Sequence, residues 1–261
     1  MGISFIPGNS FTLFAGAYRG FAPPRIKDAI TITNKGTEAV SVQLDAEESL
    51  NLELGTRTEL LSGLSIEATL FFMDFENQII PTSKSGGAVT DLPKVNQGQT
   101  RHKGFEGNLG LDIGRLLKIK STLTADIGFT RVNAVFSSDR FIKGENVKGL
   151  RLPYAPQNLL SLRFGYIHTG GLRLVLNGSY VSNQFADNVN TIEGSANGRI
   201  GLIPSYQVWN LSTHYQLKNI PMRLTFTVKN LFNKKYIASR RPEGIKPGLF
   251  RQMMIGFDYT L

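Results

Sequence analysis

Apolar and polar residues alternate along much of the chain, and the alternation is clearest between Met222 and Leu261. One face of the first predicted strand there carries Met222, Leu224, Phe226 and Val228, and the other carries Arg223, Thr225, Thr227 and Lys229. The chain ends on a second such strand, whose apolar face carries Met253, Ile255, Phe257, Tyr259 and Leu261. A period of two residues is typical of a β-strand whose two faces meet different surroundings. The pattern therefore predicts a closing β-hairpin.

The same period predicts further strands upstream. They cover Ser10 to Phe21, Glu48 to Leu60, Ser65 to Phe75 and segments near 105–113, 122–130, 160–166, 172–180 and 209–216. No segment shows a helical period. With the closing hairpin, the pattern predicts about ten strands, most of about ten residues, which is long enough to cross a hydrocarbon core at a tilt.

Short turns and long loops alternate between these strands. Short connections fall at 61–63, 114–118, 169–171 and 219–221, and long polar loops follow the other strand ends. This arrangement is typical of an outer-membrane barrel, whose short turns face the periplasm and whose long loops face outside. The fold class predicted is all-β: an antiparallel transmembrane β-barrel of up-and-down strands. A mean hydropathy of −0.10 agrees with strands that place only every second side chain in lipid.

The predicted lipid-facing positions support this assignment. Their central residues are mostly Leu, Ile, Phe, Ala and Val, whereas charges on the same face, such as Asp74 and Arg131, come near the ends of long loops. A charge at the lipid midplane costs roughly 2–4 kcal/mol in such barrels, so this distribution is the one that a membrane selects. Tyrosines and the single tryptophan near strand ends are candidates for interfacial aromatic belts: Tyr166, Tyr180, Trp209, Tyr215, Tyr236 and Tyr259.

Six short segments, in order along the chain, carry a family resemblance. They are Arg19-Gly20-Phe21-Ala22-Pro23-Pro24, Glu48-Ser49-Leu50-Asn51-Leu52-Glu53-Leu54-Gly55, Asp74-Phe75-Glu76-Asn77-Gln78-Ile79, Gly104-Phe105-Glu106-Gly107, Leu152-Pro153-Tyr154-Ala155-Pro156 and Asn230-Leu231-Phe232-Asn233-Lys234-Lys235-Tyr236. Together they resemble TonB-dependent outer-membrane receptors, and more narrowly the ferric citrate receptor branch. The resemblance covers nearly the whole chain but only the C-terminal half of a family member.

The resemblance implies a domain assignment, a location and partners. Residues 1–261 would form the C-terminal part of a barrel of about twenty-two strands, with a plug domain and an energy-coupling segment expected on a missing N-terminal part. Residues 1–8 do not form a secretion signal, which fits that expectation. The implied function is uptake of a ferric chelate, such as ferric citrate or a siderophore, across the outer membrane of a Gram-negative bacterium. The implied partners are that chelate, outer-membrane lipid and lipopolysaccharide, and the TonB complex acting through the plug.

Basic residues in and beside the long loops are the candidate ligand site. The formal net charge is +9, and the candidates are Arg25, Lys27, Lys84, Arg101, Arg140, Lys143, Lys148, Arg151, Arg199, Arg240, Arg241 and Lys246. Arginine and lysine suit an anionic chelate, and strand parity predicts Arg151, Asn183 and Arg241 on the lumen side. Each of these charges could instead meet lipopolysaccharide phosphate or solvent.

Other chemistry has little support in the sequence. There is no cysteine, and His102, His168 and His214 have no metal-ligand spacing, so neither a metal nor a cofactor is expected. The basic residues are spread over loops, which argues against nucleic-acid binding. Two alternatives to the receptor stay open: a passive porin-like barrel closed by ten strands, and a barrel lipase that uses Ser212 and His214, which share a face. We favour the interpretation that the protein is a receptor and not an enzyme.

Overall fold

One antiparallel sheet contains nearly all of the long strands. The computed structural model describes residues 1–8, 10–33, 38–41, 43–81, 94–142 and 144–259. The sheet has eleven strands, each hydrogen-bonded to its neighbours in chain order. This up-and-down topology is the one that the alternation of turns and loops predicts.

The elements in chain order are as follows. In the first half they are β1 (Gly2–Gly8), β2 (Phe11–Ala22), α1 (Ile26–Ala29), β3 (Ile30–Thr33), β4 (Glu38–Ser41), β5 (Glu47–Leu61), β6 (Leu64–Pro81), β7 (Lys94–Asp112), α2 (Ile113–Leu116) and β8 (Thr122–Phe136). In the second half they are β9 (Phe141–Ile142), β10 (Glu145–Asn146), β11 (Asn158–Ile167), β12 (Leu172–Val181), β13 (Gln184–Phe185), β14 (Leu202–Ile203), β15 (Tyr206–Gln216), β16 (Met222–Lys229), β17 (Ile237–Ser239), β18 (Lys246–Pro247) and β19 (Gln252–Tyr259). The main sheet is β1-β2-β5-β6-β7-β8-β11-β12-β15-β16-β19, and the remaining strands form two-stranded hairpins within the long loops.

The strand register confirms the predicted apolar face. One row of directly paired residues runs Phe11, Thr58, Ile66, Leu109, Ile127, Leu162, Gly178 and Trp209, and it carries no charge. Many of the apolar side chains on this face are exposed; Leu70 is 57% and Phe257 is 73% accessible. A water-soluble protein rarely leaves so large an apolar surface uncovered. This face is therefore the lipid-facing one. Within the described residues, no second sheet or helical layer packs against its apolar side chains.

Charges on the lipid-facing side occur where the sequence predicts them. Asp74 pairs with Arg101 across β6 and β7, and Arg131 pairs with Phe105 across β7 and β8. Along their own strands both come after the apolar positions, Asp74 after Phe72 and Arg131 after Phe129, toward the long-loop ends.

The structure refines the predicted strands in two details. The sheet has eleven strands rather than about ten, because Gly2–Gly8 pairs with β2 as an additional strand. The strands are also longer than expected, since β6 has 18 residues and β7 has 19. Near their loop ends the pairing of β6 with β7 has register irregularities between Phe75 and Ile79, so a strict period of two disappears there.

The connections contain little helix. Each of α1 and α2 is a single turn of four residues. Neither helix of the described ranges approaches the length or apolarity needed to cross a membrane. A small buried cluster of Phe136, Ile142 and Val147 packs under the loop that follows β8, so the folded loops have a core of their own.

Candidate functional site

The loops that follow β8, β12 and β16 pack against one another at the long-loop end of the sheet. Tyr154 in the first loop donates its backbone N–H to the carbonyl of Phe185 in the second, at 2.9 Å. The backbone N–H of Arg240 in the third loop donates to the Tyr154 hydroxyl at 3.1 Å. Tyr154 has a left-handed backbone (φ 57°), which few non-glycine residues adopt without tertiary support. We call these three connected segments, residues 137–142 with 144–157, 182–205 and 230–251, the loop cluster.

The structure brings Arg151 and Asn183, two of the predicted site residues, into contact. The Arg151 Nη2 atom donates to the backbone carbonyl of Asn183 at 2.9 Å, and the guanidinium lies 5.3 Å from the centre of the Phe185 ring. Asn190 accepts from the Arg151 backbone N–H at 2.9 Å and donates to its carbonyl at 2.8 Å. Burial lowers the pKa of Arg151 from its ordinary value, although an arginine remains charged at neutral pH.

Arg241, the third predicted residue, contacts the same loop. Its Nη2 atom donates to the carbonyl of Ala186 at 2.8 Å, and its guanidinium lies 5.3 Å from the centre of the Tyr154 ring. Arg151, Asn183 and Arg241 therefore converge on residues 183–186. Both arginines also connect neighbouring loops by donating to backbone carbonyls, a role that no pattern in the sequence predicts.

Arg240 is the buried charge of the loop cluster. Only 8% of this residue is accessible, and its guanidinium donates to the carbonyls of Gly198 and Leu202 at 3.1–3.3 Å. No carboxylate in the part of the chain that the structure describes forms an ion pair with it. The sequence analysis placed Arg240 among the basic residues of the long loops but not in the predicted ligand site. The segment Leu152-Pro153-Tyr154-Ala155-Pro156 is the sequence feature that could have indicated its importance, because Tyr154 contacts Arg240.

We expect Arg240→Met to loosen the loop cluster. The substitution keeps a long apolar stem but removes every donor to Gly198 and Leu202, and a buried unpaired polar group costs about 1–3 kcal/mol. Amide hydrogen exchange should accelerate by at least about fivefold at Leu202 and Ala186, whose N–H groups are bonded within the loop cluster. Arg199→Met is the matched control, since Arg199 is exposed in the loop after β12, which also carries Leu202 and Ala186. Equal exchange rates in the two variants would contradict the assignment.

Two polar atoms in the loop cluster are buried without a hydrogen-bond partner among the described residues. They are Nε of Arg151 and Oδ2 of Asp187. The other oxygen of Asp187 accepts from Val189 and Thr191, which fixes the turn after Phe185. Native proteins leave few such groups unpaired, and those that remain are candidates for function.

The concave face of the sheet is polar. A recess of about 710 Å³ on this face is lined by residues that include Glu67, Asn108, Asp126, Arg163 and Asn177. Glu67 forms an ion pair with Arg57 across β5 and β6. Side chains that alternate with the lipid-facing rows thus line a wet interior, as the strand period predicts.

The remaining basic candidates do not share one site. Arg25 pairs with Asp28 at 2.8 Å and Lys148 pairs with Asp139 at 3.0 Å. Hydrogen bonds from Asn146 and Lys148 lower the pKa of the Asp139 carboxyl. Arg140 lies 5.5 Å from the centre of the Phe136 ring, and Arg101 pairs with Asp74 on the lipid-facing side. Lys84 and Lys143 lie outside the described residues, as does Leu261.

The geometry offers little for catalysis or for a metal. Ser212 and His214 both face the concave side, but His214 bonds to Thr225 at 3.2 Å and no hydrogen bond joins it to Ser212 within the described ranges. A nucleophile and its base need that contact. Among the described residues, no group of three or more histidine, cysteine, aspartate or glutamate side chains has the geometry of a metal site.

The sheet has an apolar outward face and a polar concave face, and it carries short turns at one end and long folded loops at the other. These features together are those of outer-membrane β-barrel proteins. The profile of the TonB dependent receptor-like β-barrel family matches residues 1–231. The chain belongs to this family, as the six segments of the sequence predicted. The members are receptors and transporters rather than enzymes, and they are barrels of the Gram-negative outer membrane.

Solved structures show the same fold. The chain is similar to the ferric citrate transporter FecA in its unliganded form, with 26% identity and a TM-score of 0.74 over 98% of this chain and 37% of that one. It is also similar to the ferric yersiniabactin uptake receptor FyuA from Yersinia pestis, with 18% identity and a TM-score of 0.71 over 98% of this chain and 36% of that one. The siderophore receptor PiuA from Acinetobacter baumannii gives 18% identity and a TM-score of 0.71 over 97% of this chain and 34% of that one. The chain therefore spans little more than a third of the length of these proteins.

Proposed function

We propose that this chain forms part of the barrel of a receptor that takes up a ferric chelate, of the ferric citrate or siderophore type, across the outer membrane. The observation that carries the proposal is the convergence of Arg151, Asn183 and Arg241 at the long-loop end of a barrel wall of this family. Cationic side chains there suit an anionic chelate that enters from outside. The 26% identity to a ferric citrate transporter supports the chelate class.

The proposed domain assignment is that residues 1–261 belong to the barrel of a larger receptor. The first and last strands of the main sheet, β1 and β19, run in the same direction, because eleven strands alternate between them. Closing these strands on themselves would require a parallel seam, whereas bacterial single-chain outer-membrane barrels have an even number of antiparallel strands. The observation disfavours the closed ten-stranded porin. The larger receptor, in addition to its barrel, would have the plug domain through which the TonB complex acts.

We expect Asn183→Ala in the complete receptor to weaken chelate binding by at least about fivefold. Asn183 holds Arg151 through its backbone carbonyl, so removing the exposed side-chain amide leaves that loop contact intact. The lost interaction is a hydrogen bond to a charged ligand, which contributes about 1.5–3 kcal/mol. Titration of the purified receptor with ferric citrate and with a siderophore, followed by fluorescence quenching, measures the effect. An unchanged dissociation constant for both ligands would remove Asn183 from the site.

Arg151→Gln and Arg241→Gln test the cationic part of the proposal. Each removes one positive charge, and both should weaken binding of the anionic chelate more than Asn183→Ala does. Because both arginines also bond to loop carbonyls, Arg151→Lys and Arg241→Lys serve as controls that keep the charge and lose the planar geometry. If each lysine variant bound as poorly as its glutamine counterpart, the arginines would act on loop structure and not on ligand charge.

A further inference from the structure

Exposed apolar and basic residues alternate in the turn between β7 and β8. After α2 the chain continues through Leu117, Lys118, Ile119 and Lys120. Leu117 is 66% and Ile119 is 47% accessible, and both lysines are exposed. Aliphatic side chains that stay exposed to water lose the free energy that burial would provide, so their position in a short turn suggests an apolar neighbour outside the chain. We call residues 114–120 the β7–β8 turn.

Backbone hydrogen bonds fix the conformation of the β7–β8 turn. The N–H of Lys118 donates to the carbonyl of Arg115 at 3.2 Å, and the N–H of Ile119 donates to the carbonyl of Gly114 at 3.0 Å. Lys118 has a left-handed backbone (φ 53°), which is usually a glycine position at a helix end. These bonds satisfy carbonyls at the end of α2, so the alternation of apolar and basic residues belongs to an ordered turn.

The β7–β8 turn continues the lipid-facing surface of the sheet. Leu64 and Leu111 form the last lipid-facing pair of β6 and β7 before the turn. The Cγ atom of Leu116 lies 3.5 Å from the position that a Cβ on Gly63 would occupy, so Leu116 packs beside the neighbouring short turn. Leu61, at the start of that neighbouring turn, is 59% accessible. The apolar surface therefore extends past the strand ends onto two adjacent turns.

The two lysines of the turn are not neutralised within the part of the chain that the structure describes. No ion pair there includes Lys118 or Lys120, whereas Arg115 lies 3.7 Å from Asp112. Asp112 and Glu59, which are carboxylates of the same end of the sheet, line its concave side. The turn therefore presents two positive charges beside apolar side chains, and a binding partner must be both anionic and apolar to match it.

We propose that the β7–β8 turn binds an anionic phospholipid of the periplasmic leaflet, with Leu117 and Ile119 among the acyl chains and Lys118 and Lys120 at the phosphate. The short turns of outer-membrane barrels face the periplasm, where this leaflet lies. Lysine stems can lie along an apolar surface while the ammonium group stays at the headgroup. Each lysine near a membrane surface favours anionic lipid by roughly fivefold. Free phosphate would match only the lysines and would leave the aliphatic side chains in water.

A lipid titration of the complete receptor tests the charges. Lys118→Gln with Lys120→Gln removes the proposed site, and Lys234→Gln with Lys235→Gln removes two exposed lysines at the long-loop end. An environment-sensitive dye on Ser62→Cys, in the neighbouring turn, reports lipid that arrives at this place; the chain has no other cysteine. Delipidated receptor in detergent is titrated with phosphatidylglycerol, with phosphatidylethanolamine and with inorganic phosphate.

We expect the first variant to bind phosphatidylglycerol at least about fivefold more weakly than the wild type, and the second variant to change by less than about twofold. Phosphatidylethanolamine, which has no net charge, should respond equally in all three proteins, and inorganic phosphate should give no response. Equal phosphatidylglycerol affinities in the wild type and the first variant, or equal losses in the two variants, would overturn the proposal. A dye response to inorganic phosphate that matches the lipid response would also overturn it.

Spin labels test whether the apolar part of the turn lies in lipid. A nitroxide is attached to Leu117→Cys or to Thr169→Cys, an exposed position in the turn between β11 and β12, and the receptor is reconstituted in phosphatidylglycerol vesicles. The label at residue 117 should collide mainly with oxygen, which concentrates in hydrocarbon, and the label at residue 169 mainly with a water-soluble nickel chelate. Equal nickel accessibility at the two positions would show a turn that lies in water, as for docking of an acidic protein, and would refute the proposal. Neither measurement involves an iron chelate, so failure of the proposed function would leave both outcomes unchanged.

Discussion

Leu162→Arg is expected to prevent most of the protein from reaching its folded state. Leu162 lies in the middle of the lipid-facing row, paired with Ile127 on one side and Gly178 on the other. An arginine at the bilayer midplane costs about 2–4 kcal/mol in such barrels, which lowers the folded-to-unfolded ratio by roughly 30-fold to 900-fold. The folded fraction is measured in unheated electrophoresis after refolding into lipid vesicles, and from urea titrations of the same samples.

Ser161→Arg is the matched control for Leu162→Arg. Ser161 is the preceding residue on the same strand and points to the concave face, where it is paired with Gly128 and Ser179. The small neighbours leave room for a guanidinium, and the polar recess beside them provides water and carboxylates. We expect a change of less than about 1 kcal/mol, as for most substitutions on a hydrated surface. Equal losses in the two variants would show that the concave face is as dry as the convex one, and the membrane orientation would be wrong.

Asn230→Ala is expected to destabilise the closing hairpin by about 2–5 kcal/mol, which is the second large effect. Asn230 is only 2% accessible, and its side chain donates to the carbonyls of Lys234 and Leu249 and accepts from the Lys234 N–H, at 2.8–2.9 Å. Its backbone is left-handed (φ 48°), a conformation that costs alanine roughly 1–2 kcal/mol. The loss of buried partners adds about 1–3 kcal/mol. Urea unfolding followed by Trp209 fluorescence reports the change, because the Leu231 N–H bonds to the Trp209 carbonyl.

Asn233→Ala separates backbone strain from the buried network. Asn233 has nearly the same left-handed backbone (φ 52°), but it is exposed and its side chain accepts only from the Arg251 N–H, at 3.0 Å. The control should therefore lose about 1–2 kcal/mol, mostly from strain. If Asn233→Ala were as destabilising as Asn230→Ala, the hydrogen bonds of Asn230 would contribute little, and the role of the turn from Asn230 to Lys234 would be conformational only.

The loop cluster limits what a single loop substitution can reveal. Arg240 and Arg241 bond to carbonyls of the loop after β12, and Tyr154 connects that loop to the one after β8. A change at one arginine therefore alters the position of neighbouring loops as well as the local charge. This is the physical reason to compare glutamine, lysine and methionine replacements, and to use Asn183→Ala as the probe that leaves the loop contacts in place.

The sequence by itself determined the fold class, the lipid-facing side of each long strand and the family. Alternation along strands such as Met222–Lys229 directly records that one face meets hydrocarbon and the other meets water. It also placed Arg151, Asn183 and Arg241 at the long-loop end, where the structure finds them together. Their role in ligand binding stays a prediction.

Only the tertiary structure decided the first strand, the full strand lengths and the contacts of the loops. Gly2–Gly8 becomes a strand through its pairing with β2, and the upper parts of β6 and β7 lose the regular alternation because register irregularities interrupt their pairing between Phe75 and Ile79. The burial of Arg240 and the network of Asn230 depend on backbone carbonyls from segments tens of residues away, such as Leu202 and Leu249. Those carbonyl positions are set by the packing of whole loops, which no local pattern of side chains records.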